Sequence, residues 1–184
     1  MRRLFFLSLS MILFFTACNK AGPSPSSGNG NDAVTEKVND LYTQYGTSNE
    51  ALYHQSFSDS LFSPDLKRTL ETAINTSKAD IEKVKNSDHP DEKPLLFEGA
   101  VFSSLYEGYT GYRIKSTNIS ADKATADAAV EFEYTASPPK MIWTDHIHLV
   151  NSKQGWKIDN IIFDTIAHSK DLKTTLNEFI RNAQ

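Results

Sequence analysis

The chemically most informative residue of the sequence is Asp145. The odd-numbered residues from 141 to 149 share one side of a predicted strand, and apart from Asp145 all of them are apolar. A carboxylate in such a row must be paired, neutralised or directed into a cavity. Arg113, on a neighbouring predicted strand, is the candidate partner. We interpret Asp145 first as a structural tie to Arg113 or to the backbone, and second as a catalytic residue.

Three tyrosines, Tyr106, Tyr109 and Tyr112, stand three residues apart just before the predicted sheet. A tyrosine offers a large apolar surface and a hydroxyl group, which suits the lining of a ligand pocket. The same residues also fit the rim of the core between helix and sheet, and we prefer this second interpretation. Trp143 likewise fits a core position. The residues that we assign to a candidate ligand site are Tyr106, Tyr109, Tyr112, Arg113, Trp143 and Asp145.

His146 and His148 are two residues apart on a predicted strand, so their side chains point to the same side. This spacing can chelate Zn²⁺, but a zinc site needs at least a third ligand. Glu131 or Glu133 would have to lie alongside in a favourable register, which the sequence does not fix. We therefore predict no metal and no other cofactor, and we interpret both histidines as side chains on a sheet face.

Several functional classes are excluded by composition. The 184 residues include 19 basic and 23 acidic ones, a net charge of −4, and the sequence offers no electrostatic case for a nucleic-acid partner. The single cysteine, Cys18, can form neither an intramolecular disulfide nor a structural zinc site. The sequence contains no Gly-x-Ser-x-Gly, His-Glu-x-x-His or phosphate-loop motif. It therefore identifies no reaction.

The first eighteen residues predict a location. Two arginines precede an apolar run at residues 4–15, which is too short to cross a bilayer and has the size of a signal-peptide core. The motif Phe15-Thr16-Ala17-Cys18 resembles a bacterial lipobox. This resemblance implies cleavage after residue 17 and lipidation of Cys18. Asn19, standing where an aspartate would signal retention, favours the outer membrane by resemblance to enterobacterial sorting rules.

The remaining chain predicts helices followed by strands. Residues 18–33 read as a lipid-bearing flexible tether, because Gly, Pro, Ser and Asn dominate them, and residues 34–184 as a single α+β domain. The predicted helices cover residues 34–46, 49–57, 64–86 and 169–182. The predicted strands cover residues 112–119, 124–134, 141–150 and 156–163. This order predicts helices packed on an antiparallel sheet rather than a parallel α/β fold.

The order of elements resembles the nuclear-transport-factor-2-like cone fold. More closely, the chain is similar to a family of bacterial lipoproteins that carry such a domain and have no assigned activity. The matching segments are residues 62–66, 105–109, 143–145 and 155–161. The resemblance implies N-terminal helices on a curved antiparallel sheet of about four strands, closed by a C-terminal helix. Cone-fold enzymes use a pocket carboxylate as a general base beside a tyrosine donor, a role that would fall here to Asp145 and one of the three tyrosines.

We therefore expect a lipid-anchored protein of the bacterial cell envelope, in which a non-catalytic domain binds a small ligand or a protein partner. One alternative is an isomerase- or hydrolase-like enzyme that uses Asp145 and a tyrosine. A second alternative is an immunity or envelope-assembly protein that binds its partner through the sheet. The expected partners are the membrane, through lipidated Cys18, and an unknown small molecule or protein, without nucleic acid. A homodimer formed through the sheet face also fits the cone-fold resemblance.

Overall fold

Within the described part of the chain, three helices come first, four strands follow and a fourth helix comes last. The structure is a computed structural model that describes residues 30–46 and 49–183; the predicted signal peptide, Cys18 and residues 19–29 of the predicted tether lie outside the described residues. The elements are α1 (Gly30–Tyr45), α2 (Glu50–His54), α3 (Pro64–Lys85), β1 (Gly111–Ile119), β2 (Thr125–Tyr134), β3 (Met141–Ser152), β4 (Gly155–Ile162) and α4 (Leu172–Asn182). The predicted α+β class is confirmed.

The long helices follow the predicted apolar and capping patterns. The buried face of α1 consists of Val34, Val38, Leu41, Tyr42 and Tyr45, whose spacing in the sequence is that of one face of a helix. The helix begins at Gly30, however, four residues before its predicted start. α3 begins where the capping signal predicts, because Ser63 Oγ accepts the backbone N–H of Leu66 at 3.1 Å and Pro64 opens the first turn.

Two further predicted helix boundaries, besides the start of α1, are wrong. α2 ends at His54 instead of residue 57, because Gln55 has an extended backbone with φ −111° and ψ 148°. α4 begins at Leu172 instead of residue 169, because the helix cap is Asp171, whose Oδ1 accepts the backbone N–H of Thr174 at 3.0 Å. Both differences concern the ends of helices and leave the order of elements unchanged.

The four strands form one antiparallel sheet in the order β1-β2-β3-β4. The predicted alternation is confirmed, since every second side chain of the two central strands is buried. The buried positions are Ala126, Ala128, Val130 and Phe132 on β2 and Trp143, Asp145, Ile147 and Leu149 on β3. We call the side of the sheet that bears these residues the inner face, and the opposite side the outer face.

The sheet curves around α1. This helix contacts β1, β2 and β4, and β1 and β4 are the two edges of the sheet, so both edges approach the same helix. α3 and α4 pack against each other and against β4. Fully burying a large apolar side chain such as Phe62 or Phe132 stabilises a fold by about 1.5–3 kcal/mol. In residues 30–46 and 49–183, no helix combines the length and the apolar character that crossing a membrane requires.

Between α3 and β1 the chain forms a compact loop, residues 99–108, which we call the inner loop. Gly99 and Gly108 have positive φ angles of 71° and 81°. A Cβ atom at Gly99 would lie 2.3 Å from the carbonyl oxygen of Tyr106, so only glycine fits at this position. Phe102 is 3% exposed and anchors the inner loop in the core. The residues after Phe102 are thereby held against β3.

Candidate functional site

Asp145 is completely buried on the inner face of β3. Its Oδ2 accepts the backbone N–H of Ser104 at 2.9 Å, and its Oδ1 accepts the backbone N–H of Asp164 at 3.0 Å. The hydroxyl of Ser104 also donates to Oδ1, and its oxygen accepts the N–H of Asp164 at 2.8 Å. Asp145 therefore connects three parts of the chain: β3, the inner loop and the segment that follows β4. We call this arrangement the Asp145 tie.

The prediction that Arg113 is the partner of Asp145 is wrong. β2 lies between the strands that carry the two residues, and Arg113 stands opposite Glu131 on the outer face. Its side chain is 68% exposed, and its guanidinium group lies 2.5 Å from Glu131 Oε1. Arg113 and Asp145 are thus on opposite sides of the sheet. The other predicted interpretation of Asp145, a tie to the backbone, matches the observed contacts.

Burial raises the pKa of the Asp145 carboxyl above its usual value of 3.8. The Ser104 hydroxyl and the backbone N–H groups of Asp164 and Ser104 act in the opposite direction, and the Trp143 indole adds a weaker interaction of the same sign. Trp143 Nε1 forms no regular hydrogen bond with the described residues. A general base must lie within hydrogen-bond reach of the proton that it removes. The enclosed Asp145 carboxylate offers a substrate no such access.

Tyr109 and Tyr112 come together as predicted, whereas Tyr106 lies apart from them. The rings of Tyr109 and Tyr112 are 5.7 Å apart, and each lies within 6 Å of the buried Tyr42 ring, at 5.8 Å and 5.0 Å. Phe132 continues this cluster and stacks on Trp143 at 5.5 Å. Tyr106 is 58% exposed on the inner loop. The clustered rings pack between α1 and the inner face, which fits the rim-of-core interpretation.

Two hydroxyl groups of this cluster have structural partners. Tyr112 donates to Asn39 Oδ1 at 3.1 Å, and Tyr42 donates to the carbonyl oxygen of Phe102 at 3.4 Å. Burial raises the pKa of Tyr42, Tyr109 and Tyr112, so all three stay neutral at physiological pH. They can donate hydrogen bonds but cannot act as phenolate bases there.

The two histidines lie on the outer face. His148 Nδ1 is 2.9 Å from Asp127 Oδ1, and His146 stands opposite Ala129 on β2 and Ile162 on β4. Glu131, a predicted possible third ligand, stands opposite Thr144 instead of a histidine. In the described ranges 30–46 and 49–183, no three His, Cys, Asp or Glu side chains are grouped closely enough to hold a metal ion.

Comparison with known proteins leaves the site to be interpreted from its own residues. No family model, curated protein or solved structure matches this chain. The contacts that follow therefore carry the functional interpretation without support from relatives.

A cleft of about 350 Å³ lies on the outer face at the start of β1. Gly111 contributes no side chain here, and Glu133 of β2 and Ile142 of β3 follow it in the same cross-strand row. Two ion pairs border the cleft: Arg113 with Glu131, and Lys140 with Glu133 at 2.6 Å. We call this feature the Gly111 cleft.

The predicted ligand-site residues do not form one site. Arg113 lines the Gly111 cleft on the outer face; Tyr112 also borders the cleft, but its ring packs on Tyr42 of α1 on the other side of the sheet. Trp143 and Asp145 are buried on the inner face, and Tyr109 packs with them through Phe132. The sheet thus divides the set between its two sides.

Several important residues were not found from the sequence. Ser104 and Asp164 hold Asp145 from sequence separations of 41 and 19 residues, and no periodic pattern marks either of them. Lys140 lies between the predicted strands 124–134 and 141–150, and no pattern in the sequence singled it out. The alternation of β2 did place Glu131 and Glu133 on the wet face of the sheet, so that signal was available.

Proposed function

We propose that the protein is a lipid-anchored component of the bacterial cell envelope, and that its α+β domain is a non-catalytic module that binds a small ligand or a protein partner. The observation that carries this proposal is the Asp145 tie. The one buried carboxylate of the described core uses both of its oxygens to hold loops in place. On the sheet, the Arg113–Glu131 and Lys140–Glu133 ion pairs are accessible on the outer face, where they suit binding.

The anchoring part of the proposal rests on the sequence. The apolar run at residues 4–15, the lipobox-like Phe15-Thr16-Ala17-Cys18 and the absence of any other cysteine support lipidation at Cys18. Each buried methylene of an acyl chain contributes about 0.8 kcal/mol, so a multiply acylated cysteine anchors a protein firmly. Residues 18–184 carry 17 basic and 23 acidic residues, and a net charge of −6 gives no attraction to an anionic membrane.

The cone-fold relationship is part of the same proposal. Three helices precede a four-stranded antiparallel sheet that curves around α1, and a last helix follows it. This arrangement supports a relationship to nuclear-transport-factor-2-like domains and to the bacterial lipoproteins that carry them. Such domains include both enzymes and non-catalytic modules, so the fold does not choose between these functions.

The anchoring is tested by replacing the cysteine. Cys18→Ser should abolish labelling of the full chain with a fatty-acid probe, because it removes the single cysteine of the sequence. As a matched control, Cys18→Ser combined with Ser27→Cys restores a thiol nearby without restoring the lipobox, and it should behave like the single variant. Fatty-acid labelling that persists in Cys18→Ser would contradict lipid anchoring at Cys18.

The alternative of an isomerase- or hydrolase-like enzyme makes one clear structural requirement. It needs the Asp145 carboxylate at the floor of an open pocket beside a tyrosine hydroxyl, and the observed carboxylate is fully enclosed. The alternative of a dimer or partner surface on the outer face needs a large apolar patch there. The large apolar side chains exposed on that face, among the described residues, are Ile142 and Ile162, and they lie among polar neighbours. We therefore favour the Gly111 cleft over an apolar docking surface.

A further inference from the structure

The Gly111 cleft is a concave feature framed by charged side chains. Gly111 stands opposite Glu133, and a Cβ atom added to Gly111 would lie 3.3 Å from Glu133 Oε1. The missing side chain therefore opens space beside the carboxylate. Arg113 and Lys140 border this space, with exposed side-chain fractions of 68% and 51%. The cleft thus combines a void at a glycine with two accessible cationic groups.

The charges around the cleft are unbalanced in the positive direction. Arg113 and Lys115 both pair with Glu131, at 2.5 Å and 2.9 Å, and Lys140 pairs with Glu133. Three cations therefore face two carboxylates. The surrounding domain has the opposite character, because residues 30–184 contain 16 basic and 23 acidic residues. The cleft is a local positive region on an acidic domain.

Arg113 and Lys140 also have N–H donors that their ion pairs do not use. Arginine has five N–H donors, and Arg113 directs its Nε and one terminal nitrogen to the same oxygen, Glu131 Oε1. An ammonium group has three donors, and Lys140 directs one of them to Glu133. Arginine matches the planar, two-oxygen geometry of carboxylate and phosphate groups. The unused donors fit an anionic ligand.

The position of the cleft relative to the start of the described chain bears on the source of the anion. Gly30, the described residue nearest in sequence to Cys18, lies against Ile119 at the far end of β1, since a Cβ there would be 2.9 Å from Ile119 Cδ1. The cleft is at Gly111, the other end of this nine-residue strand, roughly 26 Å away at 3.3 Å per residue. Gly30, where the described chain begins, and the cleft therefore lie at opposite ends of β1.

We propose that the Gly111 cleft binds a small soluble anion that carries carboxylate or phosphate groups, held by Arg113 and Lys140 at the end of the domain remote from the membrane anchor. The proposal names the ligand class for the binding module proposed above, and its orientation rests on lipid anchoring at Cys18. The shared chemistry is a charge-assisted hydrogen bond from guanidinium and ammonium donors to anionic oxygens.

The test is calorimetric titration of the full chain in neutral detergent with citrate and with inorganic phosphate. Saturable binding of at least one probe is expected. Arg113→Gln should weaken it at least fivefold, and Glu131→Gln should tighten it at least twofold because it releases the cations. Gly111→Ala should weaken binding without removing a charge, since its methyl group enters the cleft. Lys153→Gln, which removes a charge in the β3–β4 turn, should change the affinity less than twofold.

Three results would overturn the proposal. The first is that neither anion binds. The second is that Arg113→Gln and Lys153→Gln weaken binding equally, which would indicate a diffuse charge effect. The third is binding to phosphatidylglycerol vesicles without binding to citrate or phosphate, which would assign the cations to a lipid surface. Cys18→Ser should bind the probes like the unchanged chain. If lipid anchoring fails its own test, the proposed position of the cleft relative to the membrane is lost, but anion binding in the cleft is not affected.

Discussion

The two faces of the sheet use charge in opposite ways, and the contrast is sharpest on neighbouring residues of β3. Asp145 is fully buried and receives hydrogen bonds on both oxygens, while His146, the next residue, is exposed on the outer face. On the outer face Arg113 and Glu131 pair in contact with solvent. A buried charge without partners is very costly, whereas an exposed pair contributes little to stability.

This difference shows that a charged residue in an apolar row does not by itself indicate a functional site. Asp145 attracts attention in the sequence because it is a carboxylate among apolar residues. Its contacts show that it fixes the inner loop and the segment after β4. The accessible groups of the outer face are ordinary in the sequence, yet they surround the Gly111 cleft. Structural and binding roles are thus separated by the sheet.

The largest expected effect comes from removing the Asp145 carboxylate. Asp145→Ala should lower the free energy of unfolding by about 4 kcal/mol, because it leaves the backbone N–H and the hydroxyl of Ser104 without their acceptor and opens a cavity in the core. Asp145→Asn should cost about 2 kcal/mol, because one amide oxygen replaces two acceptors. Urea unfolding of the full chain measures both values. A loss below 1 kcal/mol for Asp145→Ala would show that the tie is not structural.

The adjacent serines of the inner loop provide a matched pair with a smaller effect. Ser104 donates to Asp145 and accepts from Asp164, whereas the buried hydroxyl of Ser103 has no hydrogen-bond partner among the described residues. Ser104→Ala should therefore cost about 2 kcal/mol, and Ser103→Ala should change stability by less than about 0.5 kcal/mol. The midpoints of urea unfolding report the difference. Equal losses in both variants would contradict a specific role for the Ser104 hydroxyl.

The smallest expected effect is on the pH dependence of stability, to which Asp145 and Glu131 should contribute with opposite signs. Burial raises the folded-state pKa of Asp145 above its usual 3.8, so its contribution to stability declines as the pH rises through that folded-state value. Hydrogen bonds from Lys115 and Arg113 lower the pKa of Glu131, so its contribution is present above its usual 4.5 and is lost as the pH falls.

Unfolding measured from pH 3 to pH 7 distinguishes these two carboxylates. Relative to Asp145→Asn, the unchanged chain should lose stability as the pH rises, and relative to Glu131→Gln it should gain stability. The same sign for both differences would contradict the opposite pH dependence of the inner-face Asp145 and the outer-face Glu131.

The fold follows closely from patterns in the sequence. The alternation of β2 predicts its buried side, and Ser63 with Pro64 predicts the start of α3, because these signals are local. The end of α2 and the cap of α4 depend on the conformation of single residues, Gln55 and Asp171. Propensity does not fix boundaries of that kind to one residue.

The candidate sites were harder to predict because they depend on strand order and on loops. Arg113 was taken as the partner of Asp145 because its strand was expected to neighbour that of Asp145, but β2 lies between the two strands. Ser104 reaches Asp145 only because Gly99 and Gly108 turn the inner loop back on itself. The Gly111 cleft arises from the register of three strands, which alternation alone does not define.

The most direct test of the separation between the two faces is to measure stability and citrate binding on Asp145→Asn and Arg113→Gln side by side. Asp145→Asn should lose about 2 kcal/mol of unfolding free energy and keep its citrate affinity within twofold. Arg113→Gln should keep its stability within about 0.5 kcal/mol and lose at least fivefold in affinity. A folded Asp145→Asn chain that no longer binds citrate, beside an Arg113→Gln chain that binds normally, would place the binding site on the inner face and contradict this account.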